Sequence, residues 1–107
     1  MEYIGNIIYD ICLLKNHMEL VIFGAGRSGR KVYDFLCRND KEQNVKYFCD
    51  RNEDLWGKRI GNIEVVNPMQ VILSETEYHF LVSGDYANDM TRYLLQNGVK
   101  RIHLLFM

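Results

Sequence analysis

The stretch VIFGAGRSGRKVYDFL, Val21 to Leu36, decides the fold. Val21, Ile22 and Phe23 form an apolar run that stops at Gly24. Gly24, Gly26 and Gly29 follow with G-x-G-x-x-G spacing, and apolar residues return at Val32, Phe35 and Leu36, the i, i+3, i+4 positions of one helix face. This pattern predicts a buried strand over 19–23, a tight turn and a helix over 27–37. The three glycines serve different ends. The first permits the turn, the second lets a phosphate approach the backbone, and the third lets helix and sheet pack closely. The first helical amides then face a ligand, with the helix dipole favouring negative charge.

Working outward, Val45 to Cys49 reads as a second strand ending at Asp50, 21 residues beyond Gly29. That is close to the spacing of an acid that accepts hydrogen bonds from a ribose diol. In the plainer reading the glycines only make a turn and Asp50 caps a loop. The candidate nucleotide contacts are Gly24, Ala25, Gly26, Arg27, Ser28, Gly29, Asp50 and Arg51, with Ser83, Gly84 and Asp85 from a later strand end. Arg27, Arg30 and Lys31 flank a diphosphate or form a solvated helix face. Asp85 touches ribose or caps the next helix. Trp56 covers a base or sugar ring, or plugs the edge of the core.

The remaining chain continues the alternation of strand and helix. Lys58 to Ile60 reads as a brief extended piece and Ile63 to Val66 as a third strand. Asn67-Pro68 marks a helix start. Strands follow at 78–83 and 101–106, separated by a helix over 86–96 that Gly98 closes in the left-handed conformation. The N-terminal Glu2 to Lys15 reads as an amphipathic helix with Ile4, Ile7, Ile8, Ile11 and Leu14 on one face. The expected fold is α/β: a Rossmann-like three-layer sandwich, its five-stranded parallel sheet in the order 3-2-1-4-5, with an extra N-terminal helix. Residues 1–107 form a single domain, with 1–18 the N-terminal helix and connection and 19–107 the α/β core. A ligand belongs at the carboxyl ends of the first and fourth of these strands, where the sheet order reverses.

Composition narrows the function classes. The chain has 107 residues and a net charge of -1, with basic residues scattered among acids, so no nucleic-acid partner is expected. Three cysteines, Cys12, Cys37 and Cys49, show no CxxC spacing and read as reduced thiols. His17, His79 and His103 lie far apart in sequence, without metal-ligand spacing, so no metal is expected. No basic n-region opens the chain and no apolar run reaches membrane-helix length, which points to the cytoplasm without membrane insertion.

Motifs for chemistry fail. Arg30, Lys31 and Val32 follow Gly29 where a P-loop needs Lys and a hydroxyl residue, and neither Tyr-x-x-x-Lys nor G-x-S-x-G occurs. No catalytic residue is assigned, and enzymatic activity of the chain alone is not expected.

VIFGAGRSGRKVYDFL, VKYFCDRN and WGKRIGNIEVVNP together resemble the Rossmann-like nucleotide-sugar-binding domains of bacterial surface-polysaccharide synthesis, which accompany amino-sugar acetyltransferases, nucleotide-sugar dehydratases and glycosyltransferases. Glu64 stands where those domains carry a proline. The resemblance implies a nucleoside-diphosphate sugar on Gly24, Gly26, Gly29 and Asp50, with catalysis left to another domain. The alternative is an NAD(H)-binding domain of an oxidoreductase or redox sensor; a third is an interaction domain without a ligand. The glycine signature also resembles the NAD-binding domains that regulate potassium channels, which the G-N-I-E-V-V-N-P segment fits less well. Five strands lack the second half that usually holds a dinucleotide, which favours the sugar nucleotide. A homo-oligomer or a catalytic partner chain is expected to pair through the apolar N-terminal helix or the open edge of the last strand.

Overall fold

The computed structural model describes residues 6–8 and 18–105. Its elements are β1 (Asn6–Ile8), β2 (Leu20–Phe23), α1 (Arg27–Arg38), β3 (Val45–Cys49), β4 (Arg59–Ile60), β5 (Ile63–Val66), α2 (Pro68–Ile72), β6 (His79–Val82), α3 (Ala87–Gln96) and β7 (Ile102–Leu105). Among the described residues the strands form one sheet in the order β1-β7-β6-β2-β3-β5-β4. Every neighbouring pair is parallel except β4 with β5. Removing β1 and β4 leaves the expected 3-2-1-4-5 order, with the reversal between β2 and β6.

All four residues of β2 are buried, as a central strand covered on both faces requires. Leu20 and Ile22 face a core with Val32 and Leu36 of α1, Phe48 and Val65. Val21 and Phe23 face the other core, with Val71 of α2, Leu94 of α3, Phe80 and Ile102. Burying each such side chain contributes about 1.5–3 kcal/mol. Asn67 caps α2 by accepting from the Met69 N–H at 3.0 Å, and Pro68 opens the helix. Gly98 closes α3 at φ 82°.

Two expectations are corrected. Residues 6–8 form strand β1 where the sequence predicts a helix; the rest of that stretch, with Ile4, Ile11, Cys12 and Leu14, lies outside the described residues, as does His17 beyond it. Adjacent β-branched Ile7 and Ile8 suit a strand, and β7 offers them a free edge. Asn6 to Ile8 pair in parallel with His103 to Leu105, so β7 is not a sheet edge. The second correction follows. Among the described residues the sheet has six parallel strands, β5-β3-β2-β6-β7-β1, so the five-strand count that disfavoured a dinucleotide does not hold. The sixth position is filled from the chain's amino end, which the linear alternation of strand and helix could not reveal.

The two histidines of β6 and β7, distant in sequence, are neighbours in space. His79 Nδ1 lies 2.9 Å from His103 Nε2, and the rings stack with centroids 5.1 Å apart. The buried His103 has its pKa lowered to about 4, because burial disfavours the imidazolium and the neighbouring His79 lowers it further. The unfolded chain therefore takes up this proton first, near pH 6.5. The resulting stability is complete above about pH 6.5 and is lost as pH falls toward about 4. Urea midpoints measured from pH 7 to pH 4 should fall less steeply for His103→Gln than for the parent; equal slopes would remove His103 as a contributor.

Candidate functional site

At the reversal point a cleft of about 530 Å³ opens at the carboxyl ends of β2, β3 and β6. Phe23, Gly24, Gly26, Arg27, Ser28 and Gly29 line it from the first turn, Asp50 and Arg51 from the end of β3, and Ser83, Asp85, Tyr86 and Met90 from β6 and α3. Nine of the eleven sequence-derived candidates thus meet in one place. The other two, Ala25 and Gly84, support the walls.

The glycine turn is stitched to the end of β3. Gly24 N–H donates to the Cys49 carbonyl at 2.7 Å, and Ala25 N–H donates to Asp50 Oδ2 at 2.8 Å. Ala25 itself is buried in the α1-side core. Gly26 is the N-cap of α1, and no side chain caps this helix. Ser, Thr, Asp or Asn would ordinarily fill that role. The amides of Arg27, Ser28 and Gly29 precede the first helical bond, Arg30 N–H to the Gly26 carbonyl at 3.0 Å. They form the positive end of the helix dipole at the cleft.

The glycines differ in what surrounds them. A Cβ on Gly29 would collide with the Gly24 carbonyl, so helix and turn touch backbone to backbone. A Cβ on Gly26 would meet nothing within 4 Å. Gly84, at φ +85°, brings the β6–α3 loop against α1: a Cβ there would overlap the Ser28 side chain. The two loops on either side of the reversal point therefore close on each other at Gly84 and Ser28.

Asp50 makes more contacts than its spacing implied. Oδ2 accepts from Ala25, and Oδ1 accepts from the Asn52 N–H at 2.8 Å. A carboxylate has about four acceptor sites, so both oxygens keep capacity for a diol. Arg51 folds across to α3, its guanidinium carbon 5.0 Å from the Tyr93 ring centroid. Cys49 is buried beneath this corner; burial raises its thiol pKa well above the ordinary value and the charge on Asp50 raises it further, so the reactive thiolate is suppressed.

Several readings change here. Asp85 does not cap α3: the turn at Gly84 makes Tyr86 the N-cap, and no side chain caps the helix. Trp56 is absent from the cleft lining. Its indole N–H donates to the Asp50 carbonyl at 2.6 Å and so pins the loop after β3. Phe23, Tyr86 and Met90 complete the walls and were not among the candidates. Tyr86 and Met90 stand four apart at the start of α3, and that spacing could have paired them on one side of the cleft. Among the described residues, no group of three or more His, Cys, Asp or Glu is placed to hold a metal ion, and no helix is long and apolar enough to cross a membrane.

No family model matches the chain. It is 28% identical over 102 residues to the redox-sensing transcriptional repressor Rex of Clostridium novyi, covering 91% of this chain and 49% of that protein. Among solved structures it is similar to RSP, a Rex-family repressor: TM-score 0.61 at 23% identity, over 82% of this chain and 45% of that one. RSP in complex with β-NADH gives TM-score 0.61 at 22% identity, over 83% of this chain and 45% of RSP. RSP with β-NAD+ and operator DNA gives 0.60 at 23% identity, over 82% and 43%. The chain spans about half the length of these proteins. The fold is accordingly Rossmann-like. The Clostridium novyi relative is a redox-sensing repressor, so the nucleotide-sugar and polysaccharide reading of the sequence is not carried forward. The expectation of no nucleic-acid partner is also overturned, because RSP is solved on operator DNA. Scattered charge in 107 residues says nothing of the other half of proteins twice as long.

The contrast between two glycines is testable without a ligand. Gly29→Ala should lower unfolding free energy by at least about 1–3 kcal/mol, the usual cost of overpacking. Gly26→Ala should stay within about 1 kcal/mol of the parent. Denaturant titrations of both variants measure this, and equal losses would mean that the turn is not packed as described.

Proposed function

We propose that this domain binds NAD(H) in the cleft between the glycine turn and the β6–α3 loop, as the nucleotide-responsive part of a cytoplasmic redox-sensing repressor. One observation carries the reading: the uncapped amides of α1 and the Asp50 carboxylate flank a single cleft, held together by the Ala25 N–H bond to Asp50. The amides suit a diphosphate and the carboxylate suits a ribose diol. The likeness to Rex of Clostridium novyi, and to RSP solved with β-NADH, supports a nicotinamide dinucleotide over a nucleotide sugar. The six parallel strands support it too, since two strand sets flank the reversal point. In this reading Gly24, Gly26, Arg27, Ser28 and Gly29 hold the diphosphate, Asp50 holds the diol, and Arg51, Ser83 and Asp85 line the ends of the ligand. Ala25 and Gly84 shape the turn. Operator DNA is a partner of the repressor as a whole.

Calorimetric titration with NADH, NAD+, NADPH and a uridine-diphosphate sugar tests this. NADH and NAD+ should bind, and Gly26→Val should abolish binding while the chain stays folded, because its side chain would occupy the phosphate position. Tighter binding of the sugar nucleotide, or full affinity in the Gly26 variant, would overturn the reading.

A further inference from the structure

We infer that Tyr93 sets the choice between a free 2′-hydroxyl and a 2′-phosphate on the adenosine ribose by holding Arg51 against its ring. The inference rests on the NAD(H) reading of the cleft and adds a residue outside its lining.

Arg51 directly follows Asp50, so it stands where a ribose bound to that carboxylate would lie. An arginine at such a position can pair with a 2′-phosphate, and its presence in the sequence leaves the choice of dinucleotide open. In the structure Arg51 lines the cleft with its guanidinium held on a ring. It crosses from the end of β3 to α3 and lies 5.0 Å from the centroid of the Tyr93 ring. Tyr93 is itself fixed: its ring meets Phe23 of the central strand edge-on, centroids 5.8 Å apart at 80°. Phe23 is buried at the end of β2, a strand covered along its whole length. Packed rings thus connect the central strand to the guanidinium.

Two effects then act against a 2′-phosphate. The carboxylate of Asp50 repels it. In this inference Arg51, which lines the cleft beside Asp50, gives up the Tyr93 ring when it pairs with that phosphate. An exposed cation–π contact of this kind corresponds to about a two- to five-fold change in an equilibrium. A diol makes no such demand, since it uses only Asp50. Tyr93 is therefore a positioning residue that acts through Arg51.

The test measures dissociation constants for NADH and NADPH in the parent, Tyr93→Met and Tyr93→Phe, and compares the ratio of the two. The ratio is insensitive to general loosening of the site, which would weaken both ligands alike. Tyr93→Met removes the ring face and should shift the ratio toward NADPH by about two- to five-fold. Tyr93→Phe keeps the face and should restore the parental ratio. An unchanged ratio in Tyr93→Met, or a shift toward NADH, overturns the inference while the NAD(H) reading stands. A parent that binds neither dinucleotide overturns that reading and the inference with it. Should Tyr93→Met fail to fold, the parent alone decides. NMR of the Arg51 side-chain protons should show a ring-current shift that persists with NADH and is lost with NADPH. Persistence with both would overturn the proposal.

Discussion

The carboxylate of Asp50 is the joint on which the candidate site depends. Its backbone N–H donates to the Val66 carbonyl of β5, and its carbonyl accepts the Trp56 indole. Its two carboxylate oxygens take the amides of Ala25 and Asn52. One residue thus ties together the glycine turn, the loop after β3 and strand β5. An amide side chain could not do the same, because only one of its two terminal atoms accepts. Hydrogen bonds from a charged acceptor are also the stronger kind, so the turn is held where a neutral side chain would leave it looser. The acid that suits a ribose diol is therefore also the one that fixes the amides suited to a diphosphate.

That joint also explains why the cleft is shaped before any ligand chemistry is invoked. The turn cannot open away from β3 without breaking the Ala25 bond. It cannot close onto α1 further, because Gly29 already abuts the Gly24 carbonyl. The opposite wall is set by Gly84, whose missing side chain leaves just enough room for Ser28. Both constraints are steric and local, and they leave the uncapped end of α1 pointing into the space between them. Rigid framing of this kind lowers the ordering cost that a flexible ligand site would incur on binding.

Much of this was legible in the sequence because the informative features are local. Val45 to Cys49 and Ile63 to Val66 were read to the residue, since short runs rich in β-branched and aromatic side chains between turn residues admit little else. Asn67-Pro68 marked α2 by cap chemistry alone. The glycine spacing and Asp50 located the cleft because each has a mechanism tied to its position. What was not legible depends on distant partners. The strand at 6–8 exists by pairing with 103–105. The contact of His79 with His103 requires the register of β6 on β7. The fate of Arg51 is decided by Tyr93, on a helix 42 positions later, and no periodicity reports that. Asp85 failed for a local reason instead: the Gly84 turn displaced the helix start by one residue.

The sixth parallel strand bears most on what the domain can hold. In an open α/β sheet, the crevice lies where neighbouring strands lead to opposite sides, and a dinucleotide lies across it with one half over each strand set. Strands β2, β3 and β5 form one set here, and β6, β7 and β1 form the other. The second set borrows its outer member from the start of the chain, and β1 covers the edge that β7 would otherwise present. An uncovered β7 would offer its unpaired amides and carbonyls to another chain. The same three residues thus give the two strand sets equal size and block one route to strand-mediated self-association, leaving the two-residue β4 and β1 itself as the outer strands among the described residues.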